Sequence, residues 1–562
     1  MASDLEIAQS AKLRPLTEIG EQLSLSPTDL EPFGHYAAKI EPAKLREAGS
    51  QRGKYVVVTA VTPTPLGEGK TTTAIGLVQG LGKLGKKVVA TLRQPSLGPV
   101  FGIKGGAAGA GYSQVVPMET LNLHLTGDFH AITAAHNLLA AMVDNHLQHG
   151  NKLDIEPHSI TCGRVLDMND RALRNIVVGL GRKVDGVPRQ SRFDITAASE
   201  IMTIVAQSAD LPDLRARLGR IVVGFNTSGE PVTAEDLKAA GAMAVLLRDA
   251  LRPNLLQTLE GQAALIHCGP FGNIATGNSS IIADKFALAN TDFVVTEAGF
   301  GADLGYERFV NVKCATSGLV PDAAVIVVTV RALKLHSGRH KVVAGKPLPP
   351  ELLEENSADV EAGLSNLAHH LDIVRKSGVP AVVAINAFPD DHESEHQVIK
   401  DFAASKGVAC VVSTHVADGG EGAQELAKAV VEAADQATDL HFSYEPEDSL
   451  EDKINSIATK VYGADGVKIE PAAAKQLARF TELGFGKLPV LIAKTHLSTT
   501  ADPADRGAPT GWTLPIREVR LAAGAGYVYA LAGAMQTMPG LGTHPAAEKM
   551  DITPDGRIVG LF

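Results

Sequence analysis

The sequence predicts an α/β protein whose central feature is a parallel sheet covered by helices on both faces. Short β-branched runs at 55–61, 87–91, 221–225, 264–268, 293–296, 325–330, 381–386, 409–413 and 489–493 are continuously apolar rather than alternating, the pattern of strands buried on both sides. Helical patterns separate them, for example at 71–84, 131–147, 233–249 and 359–377, and strand–helix alternation is the signature of an α/β layer architecture. The runs also end alike, in Cys268-Gly-Pro-Phe-Gly-Asn273, Glu297-Ala-Gly-Phe-Gly-Ala-Asp303, Asn386-Ala-Phe-Pro-Asp390 and Ser413-Thr-His-Val-Ala-Asp-Gly-Gly420. Segments beyond strand carboxyl ends are where open α/β sheets bind ligands, although any one of these alone reads equally as a tight turn.

Bulk properties narrow the classes. A chain of 562 residues, 45% hydrophobic and 20% charged, suggests three or four domains at about 100–200 residues each. Its four cysteines, Cys162, Cys268, Cys314 and Cys410, form no Cys-x-x-Cys pair. Neither a zinc ribbon nor a disulfide framework is indicated, and buried thiols in a reducing cytoplasm are expected. The net charge of −11 comes without a basic stripe, which argues against a general nucleic-acid binder. No apolar run approaches the roughly 18 residues of a membrane span, and the start lacks a secretory pattern. The stretch 341–356 is polar and proline-bearing, an insertion or a boundary, and 432–452 is an acidic surface connection.

The run 55–61 leads into Thr62-Pro-Thr-Pro-Leu-Gly-Glu-Gly-Lys-Thr-Thr-Thr73 and then a helix, the strand–loop–helix context of a phosphate-binding P-loop. Thr64, Pro65, Leu66, Gly67, Glu68, Gly69, Lys70 and Thr71 are the candidate nucleotide-binding residues. Gly67 and Gly69 let the backbone turn its N–H groups toward phosphate oxygens, and the helix start adds partial positive charge. Lys70 is placed to reach the β- and γ-phosphates, and the Thr71 hydroxyl to coordinate Mg²⁺. Thr64 occupies the position where the general pattern has glycine.

The next run ends at Arg93-Gln-Pro-Ser-Leu-Gly-Pro99, followed by Gly102-Ile-Lys-Gly-Gly-Ala-Ala-Gly-Ala-Gly-Tyr112. A parallel neighbour of the P-loop strand would bring Arg93 to the same edge, with Lys104 on the glycine-rich segment. Arginine grips phosphate or carboxylate with a planar fork and lysine acts as a point charge, so the cluster suits a kinase or ligase acting on an anion. The alternative is that Arg93 pairs with a surface carboxylate. His124, His130 and His136 are six residues apart, which does not keep them on one helix face, so zinc is not expected there. Asp128 is a candidate polar or ionic site group.

The segments 62–73 and 102–112, together with Val328-Thr-Val-Arg-Ala-Leu-Lys-Leu-His-Ser-Gly338, Val116-Pro-Met-Glu119 and Met538-Pro-Gly-Leu541, resemble those of the formate–tetrahydrofolate ligases, also called 10-formyltetrahydrofolate synthetases. The resemblance runs over essentially the whole chain. It implies ATP-dependent ligation of formate to tetrahydrofolate through formyl phosphate, with Mg²⁺, help from K⁺ or NH₄⁺, and a homotetramer. It implies a P-loop domain formed by 1–132 and 301–368, an inserted α/β domain at 133–300, and an α/β domain at 369–562. By position, Lys70 matches the phosphate-loop lysine, Arg93 the arginine that contacts formyl phosphate, and Phe300 an aromatic that stacks on the pterin; Pro389 and Val412 match neighbouring pocket positions. Competing readings are a P-loop ATPase switch and a folate-binding paralogue with impaired catalysis.

The chain departs from the family pattern at several positions. Gln94 stands where many members have glutamate, which leaves Asp128 as the better monovalent-cation candidate. Ala110, Ser337, Gly272 and Thr276 replace Gly, Gly, Ala and His, and Ala110 matters only if its φ must be positive. Val416 stands where the family's second stacking aromatic, a tryptophan, is expected. A stacking partner is worth about 0.5–1.5 kcal/mol beyond area burial, so steady-state kinetics of Val416→Trp should show a KM for tetrahydrofolate lowered by up to about tenfold.

Overall fold

The computed structural model describes residues 3–46, 53–102, 108–343, 347–533 and 535–561. Seven of its strands form the parallel part of one large sheet: β1 Lys54–Ala60, β2 Val88–Leu92, β3 Ala263–Ile266, β4 Phe293–Glu297, β5 Ala323–Val328, β6 Ala381–Asn386 and β7 Ala409–Ser413. Their spatial order is β3-β2-β4-β1-β5-β6-β7, every neighbouring pair parallel. Beyond β3 the sheet continues through antiparallel strands, Asn254–Thr258 and Ala38–Ile40.

The continuous apolar runs have the cause expected of them. Alternate residues of each strand enter two separate cores. Val56, Val58 and Ala60 face Ile75, Leu77, Val78 and Leu81 of helix α1 (Lys70–Lys83). Tyr55 and Val57 lie in the other core, with Val360, Leu367, Leu371 and Val374 of helix α4 (Ser357–Lys376). Between these in the chain, α2 spans Asp128–Gln148 and α3 spans Val330–His336.

Three expectations are corrected. The run near 221 becomes Val222–Phe225, which pairs antiparallel with Pro231–Thr233 outside the large sheet. The run near 489 becomes Val490–Ala493, in a three-stranded sheet with Glu518–Ala522 and Tyr527–Leu531. The pattern 233–249 is helical only over Ala240–Leu247, because Lys238 adopts φ 58°, which no helix tolerates. The large sheet also draws strands from all three expected segments. β3 and β4 fall within 133–300, and β6 and β7 within 369–562, yet they pair in one sheet with β1.

α4 packs across α3 at Gly363, where an added Cβ would overlap the Leu333 carbonyl. Backbone cannot give way as a flexible side chain can. Gly363→Ala should destabilise the protein by about 1–3 kcal/mol through the forced separation, read as a lower midpoint in denaturant with an unchanged slope.

Candidate functional site

Parallel strands carry their following loops to one edge, so the loops after β1, β2, β4, β6 and β7 gather there. The loop after β1 closes on itself. The Gly67 N–H donates to the Thr64 carbonyl at 3.1 Å, and the buried Glu68 carboxylate accepts the Thr64 N–H at 2.9 Å. Gly67 and Gly69 have φ of 75° and 77°, a region that favours glycine. Gly69 has a second reason, since a Cβ there would overlap the amide of Asn386. That amide donates to the Glu68 carbonyl at 3.1 Å, so the end of β6 props the loop. Gly69 caps α1 with no side-chain hydrogen bond, the arrangement in which an anion can serve as cap.

The loop's first residue is held from behind. Asn366 of α4 accepts the Thr62 N–H at 3.0 Å and donates to its hydroxyl at 2.9 Å. His336 donates to the Thr62 carbonyl at 2.9 Å, and the His370 ring lies 2.8 Å from the hydroxyl. Burial pushes the imidazoles of His336 and His370 down to about 4 and about 3. They serve as neutral hydrogen-bonding groups at pH 7.

Arg93, Thr71 and Glu297 come together at the mouth of the loop. The Thr71 hydroxyl donates to Glu297 Oε2 at 2.6 Å. Arg93 Nε and Nη2 both donate to Glu297 Oε1 at 3.2 Å. Arg93 thus pairs with a carboxylate, but a buried one, 1% exposed, rather than one at the surface. The guanidinium lies against Gly299, whose added Cβ would sit 3.2 Å from Nη1, and the next residue is Phe300. Lys104 lies outside the described residues.

Phe300 has φ 61°, and its ring stacks on His496 at 4.5 Å between centroids and 26° between planes. The turn carrying His496 is anchored by Lys494, which pairs with Asp303 at 2.7 Å and donates to the Ser498 carbonyl at 2.6 Å. Gly272 gives this ring its room, because a Cβ there would come within 2.9 Å of it. Pro389 follows β6, Val412 lies in β7, and Val416 sits in the short helix His415–Asp418. They lie on the β6–β7 side of the loop after β1, with Phe300 on the β4 side. The Val416 carbonyl accepts the Tyr112 N–H at 2.8 Å. Ala110 does not take positive φ, whereas Gly109 and Gly111 do, so its departure from glycine costs nothing.

Asp128 is placed differently from the expectation of a cation site. Its carboxylate, 3% exposed as a residue, is bound by the Lys39 ammonium at 2.8 Å and the Asn254 amide at 2.8 Å. A fixed side-chain cation already neutralises it. Gln94 is buried, and its Oε1 has no hydrogen-bond partner among the described residues. Among those residues no cluster of three or more His, Cys, Asp or Glu is placed to hold a metal ion. Glu297, Asn386, Asn366 and His415 are the groups that sequence pattern did not single out. The signal was position alone: Glu297, Asn386 and His415 lie in the segments that follow strand runs.

The whole chain from residue 2 to 562 matches the family model described as formate–tetrahydrofolate ligase. It is 62% identical to the formate–tetrahydrofolate ligase of Cutibacterium acnes over all of both chains. Identity is 61% to that of Saccharopolyspora erythraea, covering 100% of this chain and 99% of the relative. It is 59% to that of a Roseiflexus species, again over the full length of both.

His415 joins β7 to the loop helix. Its ring lies 2.9 Å from the Ser413 hydroxyl and 3.3 Å from that of Thr73 in α1. Burial pushes its pKa from 6.5 down to about 4. Between those values the unfolded chain binds a proton that the folded chain refuses, so stability falls as pH falls. His415→Gln removes that proton and should flatten the dependence of unfolding free energy on pH by about 1.4 kcal/mol per unit within the window, measured by denaturant titration at fixed pH values.

Proposed function

The chain belongs to the formate–tetrahydrofolate ligase family and joins formate to tetrahydrofolate at the expense of ATP, and we propose that it does so through formyl phosphate on a P-loop NTPase-like core. Formate is a poor acyl donor because its oxyanion is a bad leaving group. Attack of a formate oxygen on the γ-phosphorus expels ADP and makes that oxygen part of a phosphate. N10 of tetrahydrofolate then attacks the formyl carbon, loses its proton, and phosphate departs. Such chemistry asks the protein to align anions and stabilise charge.

The observation that carries the reading is the convergence of Thr71 and Arg93 on Glu297, at the mouth of the loop that also bears Lys70. Lys70 takes the β- and γ-phosphates, and Arg93 takes the formyl phosphate oxygens. Phe300 offers a pterin its half-buried ring, with Pro389, Val412 and Val416 toward the other flank. Thr71 fits Mg²⁺: it is a hard oxygen whose proton is already given to Glu297, leaving its lone pairs for a cation. The ion would neutralise phosphate charge. A monovalent cation does not fit at Asp128, which Lys39 occupies, and Gln94 supplies one neutral oxygen. Homotetrameric association draws support from the exposed Val177, Leu180, Val184 and Val245. A cytoplasmic location accords with the absence, among the described residues, of a helix long and apolar enough to cross a membrane.

The test is conversion of ATP to ADP with formate and tetrahydrofolate each omitted in turn. Turnover should require both; hydrolysis without formate would favour a nucleotide switch, and folate binding without turnover an impaired paralogue. Lys70→Ala should lower turnover by about 10²–10³ while tetrahydrofolate binding, followed by fluorescence titration, is kept.

A further inference from the structure

We propose that Glu297 is a positioning residue that makes the nucleotide loop and the anion site one unit, its single carboxylate orienting the Thr71 hydroxyl with one oxygen and the Arg93 guanidinium with the other. This rests on the reading of Arg93 as the group that meets the transferring phosphoryl.

The placement follows from strand order. β4 lies between β1 and β2 and pairs in parallel with both, Glu297 opposite Val58 and Thr296 opposite Thr91. The last side chain of β4 therefore stands midway between the loop after β1 and the residue after β2. Burying a carboxylate is costly unless it is paired and hydrogen-bonded. Of the pair, Glu297 is the deeper, its side chain 2% exposed against 23% for Arg93. Arg93 could hold its charge in water without a partner; the buried acid serves to fix it.

Donor counting shows what is fixed. A guanidinium has five N–H groups. Nε and one hydrogen of Nη2 go to Glu297 Oε1, and one of Nη1 goes to the Pro270 carbonyl at 3.4 Å. Among the described residues two donors remain without a partner, one on each terminal nitrogen, the number a bidentate grip on phosphate or carboxylate uses. Gly299 lies against the guanidinium, where an added Cβ would sit 3.2 Å from Nη1 and press on it. Thr71 has a single proton, and its donation to Oε2 at 2.6 Å turns the hydroxyl lone pairs away from the acid. The same carboxylate sets both orientations, so a rotation of it that follows one group releases the other.

Glu297→Gln keeps size but replaces one acceptor oxygen by a donor, so either Arg93 loses its acceptor or Thr71 must accept, which turns its hydroxyl round and occupies a lone pair. In the intact protein it should lower kcat about 10²-fold. The KM for formate and the calorimetric Kd of inorganic phosphate on the ADP-loaded protein should each rise about tenfold, with the KM for tetrahydrofolate within about twofold. Combined with Arg93→Lys, its loss should be no greater than that of the worse single variant, because the two act as a unit. An unchanged kcat, additive losses, or equal rises in the KM for formate and for tetrahydrofolate would overturn the proposal. Should Glu297→Gln fail to fold, Glu297→Asp keeps the charge but is one methylene too short to serve both groups, and the same split is expected. Formate-independent turnover by the unsubstituted protein would instead sink the parent reading; formate-dependent turnover with an indifferent Glu297→Gln sinks only this one.

Discussion

The parallel register of β1, β2 and β4 is the constraint on which the site depends. Three neighbouring strands running the same way end at one level, and the residues that follow them are delivered to one edge without further guidance. Thr71, Arg93 and Glu297 stand far apart in the chain, and only this order makes them neighbours. The two-sided burial of the strands locks the order, since slipping a strand by one residue would exchange its contents between two cores. Positional accuracy at the edge is thus inherited from packing in the interior.

A second layer of polar contacts refines that inheritance. Asn366, His336 and His370 grip Thr62 from α3 and α4, Asn386 supports Glu68 from β6, and His415 ties α1 to β7. Each is buried, and each engages a backbone group or hydroxyl that would otherwise be left costly and unpaired. The loop therefore has little freedom at either end, and preorganised donors are what a reaction between anions requires. The aromatic face is built on similar lines, with Phe300 held in a left-handed backbone conformation and its neighbour His496 anchored through a buried ion pair.

Much of this was legible in the sequence. Continuous apolar runs announced strands buried on both faces, and the Gly-Glu-Gly-Lys-Thr motif announced the loop. Partnership was not legible. An apolar run says that a strand is buried but not beside what, so Val222–Phe225 was indistinguishable from a strand of the large sheet. Glu297 ends such a run, yet its contacts with residues 226 and 204 positions away depend on strand order, which periodicity does not encode. The pairing of Asp128 was hidden for the same reason: its partner, Lys39, lies 89 residues upstream. The helix expected from 233 was cut short by the backbone of one residue, Lys238, which hydrophobic pattern cannot reveal.

The prop beneath Gly69 has a consequence for how the protein is made. Asn386 and β7 emerge from the ribosome more than three hundred residues after the loop they support. At about 5–20 residues per second the delay is on the order of tens of seconds. Through that interval the nascent chain carries the phosphate-loop sequence without its support or its outer strands. The propped form of the loop thus belongs to the nearly finished polypeptide, and a translation product truncated before β6 would carry the motif without the contact that supports it.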